Sequence, residues 1–238
     1  MGFYNAIYFN FKQKNCKMKF IIIFQLIAFC ICETNFNNSM LLDQIKSDKS
    51  WKDLKVVNKN TLIKIKKIDG FDLPAISVER VTSIDPNKVK DILIDILNYN
   101  NVLKSSGSLK TKIISKNNQY LDGYQYIKSE LPFISSREYY FRMSYSKIFL
   151  DSNILVHWYL LEKKNETNDL GNPDDAVYLD FGAGIWLFEK IEKNKYLISY
   201  RLYMDPGGSL PDFIIKKVNE SSIYNIFNDV INEASKSK

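Results

Sequence analysis

From residue 109 to residue 204 the sequence is one long succession of strand patterns, and a helical stripe of apolar residues follows at once. A chain built this way is restricted to a bent antiparallel sheet closed by a C-terminal helix. The strands are expected at about 109–115, 119–128, 137–149, 153–162, 176–189 and 195–204. Short polar turns such as Lys116-Asn117-Asn118 and Asp151-Ser152-Asn153 join neighbours, as a meander requires, and the longest loop is expected over 162–175. The closing helix is expected to be capped by Ser209, with Pro211 in its first turn and Leu210, Phe213, Ile214, Val218, Ile223, Ile226, Phe227, Val230 and Ala234 on its apolar side.

Ahead of this block, 62–66 and 75–81 alternate around a turn marked by Gly70 and Pro74, which predicts two adjacent strands. Asp85 and Pro86 then open an amphipathic helix carrying Val89, Ile92, Leu93, Ile96 and Leu97 and ending near Tyr99 to Asn101. Further upstream, Met40, Leu41, Leu42, Ile45, Trp51 and Leu54 predict a helix reaching about Val56. No linker or repeat divides the body. The domain plan is therefore an N-terminal segment 1–32, a polar extension 33–50 and one domain over 51–238.

The expected architecture is α+β: a curved antiparallel sheet wrapped around a long C-terminal helix. Such a sheet cannot easily fill its own interior, so an internal apolar cavity is expected. Strand alternation puts Tyr139, Phe141, Met143 and Tyr145 on one face, with Glu138, Tyr140, Arg142 and Ser144 on the other. Trp186 and Phe188 share a face, as do Tyr196, Ile198, Tyr200, Leu202 and Met204. With Phe213, Ile214 and Val218 of the closing helix, these are the candidate lining residues. Arg137 is the candidate polar group. The chain has 15 tyrosines, each an apolar body with one polar tip suited to meet a guest's oxygen.

Several chemistries are disfavoured. All three cysteines, Cys16, Cys30 and Cys32, precede the body, which leaves it no thiol for a disulfide, a zinc cage or a nucleophile. Four of the 33 basic residues, Lys12, Lys14, Lys17 and Lys19, lie in a start that has no acid, which leaves 29 against 27 acidic residues. A nearly neutral body with scattered lysines argues against a nucleic-acid partner. The single histidine, His157, has no G-x-S-x-G elbow to work with and reads as a structural strand residue. Gly182-Ala183-Gly184 lies in a strand pattern and marks a bulge or bend rather than a nucleotide loop, and Asp174-Asp175 reads as a solvated turn. No metal, no cofactor and no covalent catalysis are expected.

Residues 20–31, FIIIFQLIAFCI, follow Lys14, Lys17 and Lys19 and match the apolar core of a secretory signal; at 12 residues the run is short for a membrane span of about 20. Export is expected, with the mature protein periplasmic, membrane-anchored or secreted, and Cys30 or Cys32 is a lipidation candidate. Met18 stands immediately before Lys19 and is an alternative start to Met1.

Three ordered segments carry a resemblance. The run Tyr200-Arg201-Leu202-Tyr203-Met204-Asp205-Pro206-Gly207-Gly208-Ser209-Leu210-Pro211-Asp212-Phe213-Ile214-Ile215 resembles the signature of the START family, the steroidogenic-acute-regulatory-type lipid-transfer modules, in its bacterial form. Gly184-Ile185-Trp186-Leu187-Phe188 and Leu131-Pro132-Phe133-Ile134-Ser135-Ser136-Arg137-Glu138-Tyr139-Tyr140 are similar to two other segments of that family, and the resemblance spans about 51–234. The sequence departs from the pattern at Val102, where a tryptophan is usual, and at Ser136, where bacterial relatives often carry aspartate. The resemblance implies a helix-grip fold and a tunnel for a lipid or sterol-like small molecule as partner; a membrane surface is a further candidate partner. An enzyme of the cyclase or hydrolase kind, or a surface scaffold with a filled core, are the alternatives.

Overall fold

The computed structural model describes residues 37–58, 60–129, 134–145, 153–163, 176–208 and 212–236, the side chains of 212–219 excepted. The chain divides into Met1–Phe36 and Asn37–Lys238, and everything below concerns the second unit. Cys30 and Cys32, residues 131–133, the Asp174-Asp175 pair, Ser209, Leu210 and Pro211 lie outside the described residues.

Helix α1 (Asn38–Lys46) starts where the Asn37 side chain accepts the amides of Ser39 and Met40. It does not run on to Val56 as expected. Ser47 is extended, Ser50 turns the chain at φ 69°, and β1 (Lys52–Val57) follows as an edge strand. Leu54 and Val56, the apolar residues that suggested a longer helix, are exposed. The carbonyls at the end of the helix are satisfied by cations. Lys66 Nζ donates to Gln44 O at 2.6 Å and Ser47 O at 3.1 Å, and Arg201 donates to Ile45 O at 3.3 Å and Lys46 O at 2.8 Å. Trp51 folds back to donate to Ser47 O, with both cations over its ring. Leu41, Leu42 and Ile45 are buried, so α1 is packed on the sheet.

The remaining strands are β2 (Thr61–Lys67), β3 (Pro74–Thr82), β4 (Leu109–Lys116), β5 (Tyr120–Ile127), β6 (Arg137–Ser144), β7 (Ile154–Leu161), β8 (Val177–Tyr178), β9 (Gly182–Glu192) and β10 (Lys195–Met204). They form a single sheet in the order β1-β2-β3-β10-β9-β7-β6-β5-β4, antiparallel throughout except that β8 pairs parallel with β6. The strand expected over 176–189 is therefore two. It breaks at residues 179–181, where Asn38 of α1 accepts the Gly182 amide and donates to the carbonyls of Asp180 and Leu160.

Asp85 caps α2 (Pro86–Ile94), with Pro86 in the first turn. The helix expected to continue past Ile96 instead breaks at Asp95 into a 3-10 turn (Ile96–Asn98), α3 (Tyr99–Val102) and a second 3-10 turn (Lys104–Ser106). Two carbonyls near the break are satisfied by hydroxyls: Tyr99 donates to Leu93 O at 2.6 Å and Thr111 to Ile96 O at 2.8 Å. The last helix, α4 (Asp212–Lys236), buries Ile223, Phe227, Val230, Ile231 and Ala234. The main core lies between the inner face of the sheet, the α2–α3 segment and α4. On the opposite face, α1 covers β7, β9 and β10, and Tyr124, Tyr126 and Tyr140 form a separate cluster.

Candidate functional site

Two strand glycines shape the inner face. Gly123 of β5 is directly paired with Phe141 of β6, and a Cβ at Gly123 would come within 2.6 Å of the Phe141 ring. Gly184 of β9 is paired with Trp158 of β7, and a Cβ there would meet the indole at 2.5 Å. Each aromatic ring lies over a backbone that has no side chain to hold it off, so two large groups are laid flat along the sheet. The bulge expected at Gly182-Ala183-Gly184 is not there: β9 pairs in regular register with β10 and β7 through these residues, and Gly184 serves instead to make room for the Trp158 ring.

Between that surface, the α2–α3 segment and α4 is a cavity of about 100 Å³. The sheet contributes Gln125 and Ile127 of β5, Tyr139, Phe141 and Met143 of β6, Trp158, Trp186 and Tyr200. Leu93, Tyr99, Leu103 and Ser106 close one side, and Ile226 and Val230 of α4 the other. Its floor is an aromatic stack. Trp186 lies between Tyr200, at 4.4 Å and 12°, and Phe227 of α4, at 5.5 Å and 4°. The two layers thus mesh at the stack and part beside it.

Tyr139, Phe141, Met143, Trp186 and Tyr200, five of the residues singled out by alternation, line the cavity. Phe188, Leu202 and Met204 are partly buried against the same core without being part of the lining. Tyr145 sits at the strand end, its hydroxyl donating to Asn117 O at 2.6 Å. The side chains of Phe213, Ile214 and Val218 lie outside the described residues. Arg137 does not line the cavity. Its guanidinium donates to the carbonyls of Pro206, Gly207 and Ser135, clamping the turn before α4, and burial pushes its pKa down. In that turn Gly207 and Gly208 take φ of 59° and 71°, and Asp205 Oδ1 accepts the Gly207 amide.

The polar groups of the wall are neutral. Burial pushes the phenol pKa of Tyr99, Tyr139 and Tyr200 well up, and neighbouring phenols add to the rise at Tyr99 and Tyr200. The neighbouring Trp158 indole opposes part of that rise at Tyr200. His157 faces the other way from Trp158, toward Lys46 and Asp43 of α1, and burial pushes its pKa down to about 4. It is not placed to act as a base in the cavity. Among the described residues no group of three or more His, Cys, Asp or Glu could hold a metal, and no helix is long and apolar enough to cross a membrane.

Sequence reasoning missed Gln125, Trp158, Leu93, Tyr99 and Ile226 as lining residues. Only the glycines at 123 and 184 hinted at a hollow, and their partners depend on the register.

The chain matches no protein-family model and no curated protein by sequence. Solved structures do match its fold. A fragment of the STAR-related lipid transfer protein from Xanthomonas axonopodis superposes with a TM-score of 0.65 at 13% identity, covering 79% of this chain and 100% of that one. The human StAR-related lipid transfer protein 5 gives 0.61 at 12% identity, covering 83% and 92%. The lipid transfer and protein localization domain of human StarD13 gives 0.59 at 14%, covering 82% and 94%. The chain has the helix-grip fold of these START domains.

Proposed function

We propose that this chain binds an apolar small molecule, lipid or sterol-like, between the sheet and α4, and does no covalent chemistry on it. The observation that carries the reading is the position of the hollow: it opens between the inner sheet face and the C-terminal helix, and its wall is mostly aromatic and aliphatic. The names of the fold's relatives, which describe lipid transfer, point the same way. An enzymatic role is disfavoured by the neutral wall and by His157 facing α1.

Size limits what the site takes in this conformation. A hollow of about 100 Å³ is near the ~150 Å³ that accepts benzene in an engineered core, and below the ~300 Å³ at which pockets for larger ligands begin. One ring is the limit without movement; a two-ring probe requires α4 to give slightly, and a whole lipid requires it to part from the sheet. The Trp186 stack favours a second reading, a surface scaffold whose interior is filled by its own side chains. Solvent extraction of natively purified protein followed by mass spectrometry separates the two. A stoichiometric apolar compound supports binding; protein that carries none and also ignores fluorescent sterol and fatty-acid analogues supports the scaffold.

Export, with a periplasmic, membrane-anchored or secreted mature protein, rests on residues 20–31 and their basic flank. Mass spectrometry of the mature N-terminus tests it, and reveals whether Cys30 or Cys32 carries a lipid. A protein that keeps residues 20–31 and stays soluble inside the cell contradicts it.

A further inference from the structure

Among the described residues the cavity wall has no charged side chain, and it has one adjacent pair of polar side chains that bind nothing. Gln125 and Tyr139 are direct partners in the β5–β6 register and both turn to the cavity, which sets their side chains beside each other. They are 6% and 8% exposed, and neither the carboxamide nor the phenol makes a hydrogen bond among the described residues. Of the other wall phenols, Tyr99 is engaged and donates to Leu93 O at 2.6 Å. Buried amides and phenols ordinarily find partners, because each one left unmade is costly. An adjacent pair left open, at a hollow, is built for a guest's oxygen.

Resting on the lipid-binding reading above, we infer that the cavity selects a neutral guest whose single hydroxyl or carbonyl oxygen, on a ring-sized apolar end, binds between Gln125 and Tyr139, and that it rejects carboxylate and phosphate guests. An alcohol fits both groups, accepting from the Tyr139 hydroxyl and donating to the Gln125 carbonyl. A ketone accepts from the Tyr139 hydroxyl and the Gln125 amide. An anion brought to the same place would lose its water and meet no cation, the costliest form of burial. Arg137, the cation closest in sequence to Tyr139, is occupied with the carbonyls of Ser135, Pro206 and Gly207.

The test is equilibrium dialysis of the whole protein at pH 7 with naphthalene, 2-naphthol and 2-naphthoate, repeated with Tyr139→Phe and Gln125→Leu. The expected result is 2-naphthol bound at least about 10-fold more tightly than 2-naphthoate. Each substitution weakens 2-naphthol by about 5- to 10-fold and leaves naphthalene within about 2-fold. Naphthalene controls for cavity shape, and Tyr139→Phe keeps the ring, so loss of packing is separated from loss of the oxygen contact. Equal binding of naphthoate and naphthol, or variants that weaken naphthalene as much as naphthol, overturns this inference and leaves lipid binding intact. If none of the three probes binds, and fluorescent sterol also fails, the lipid-binding reading falls and takes the selectivity with it.

Discussion

Phe227 is the residue through which α4 holds the sheet, and its removal tests both packing and cavity. It is fully buried, stacked on Trp186 at 5.5 Å and 4°, with the Arg80 guanidinium 5.3 Å from its ring. Phe227→Ala loses a transfer free energy of about 2–3 kcal/mol, and the residual cavity and the stack raise the cost to about 3–5 kcal/mol. For a domain of this size that lowers Tm by about 6–20 °C. The substitution also joins its own void to the existing hollow. Urea unfolding should show a lower midpoint at unchanged slope, and a two-ring apolar compound at 100 times its Kd should restore about 2.7 kcal/mol. A loss under about 1 kcal/mol would show that Phe227 is not a packed keystone. A full loss that no apolar compound relieves would show that the space beside the stack takes no guest.

Other substitutions read other links. Arg201→Met removes the donors that cap α1 and leaves its last carbonyls buried, with an expected loss of about 2–4 kcal/mol and fast amide exchange confined to residues 41–47. Hydrogen exchange followed by mass spectrometry checks it. Asp229, whose carboxylate accepts from both the amide and the hydroxyl of Ser105, ties α4 to the α3–β4 connection beside the cavity. Asp229→Asn should speed guest entry and exit severalfold in stopped-flow while changing stability by less than about 1 kcal/mol. His157 gives a pH signature. The unfolded chain takes up its proton below about 6.5 whereas the folded one resists until about 4, so stability falls as pH drops through that window, by up to about 3 kcal/mol. His157→Gln should flatten that part of the curve in pH-dependent denaturation.

How much of this was legible in the sequence follows from the two faces of the sheet. Alternation along β6 and β10 singled out Tyr139, Phe141, Met143 and Tyr200 because a strand's side-chain period is fixed by its pleat. The same logic could not say which face held the cavity, since the opposite face is buried too, under α1 and around Tyr140. Gln125 reads as a surface polar residue until its pairing with Tyr139 is known. Trp158 stood next to the more conspicuous His157, and its importance depends on Gly184, 26 positions away. The arginines were the least legible. Arg137 serves carbonyls near residue 206 and Arg201 serves carbonyls near residue 45, distances over which sequence periodicity carries no information. Residues 52–57 were misread for a related reason: Leu54 and Val56 are apolar on an exposed edge strand, where no partner face requires them.

The binding proposed for this chain depends on an apolar guest entering the space bounded by Tyr139, Trp158, Trp186 and Val230. A crystal of the protein grown with 6-bromo-2-naphthol tests it most directly, through the anomalous signal of bromine. One strong peak is expected inside that boundary, with the naphthol oxygen between Gln125 and Tyr139. Bromine found only on the surface, with the Trp186–Phe227 stack undisturbed and no peak beside it, would mean that no guest enters there.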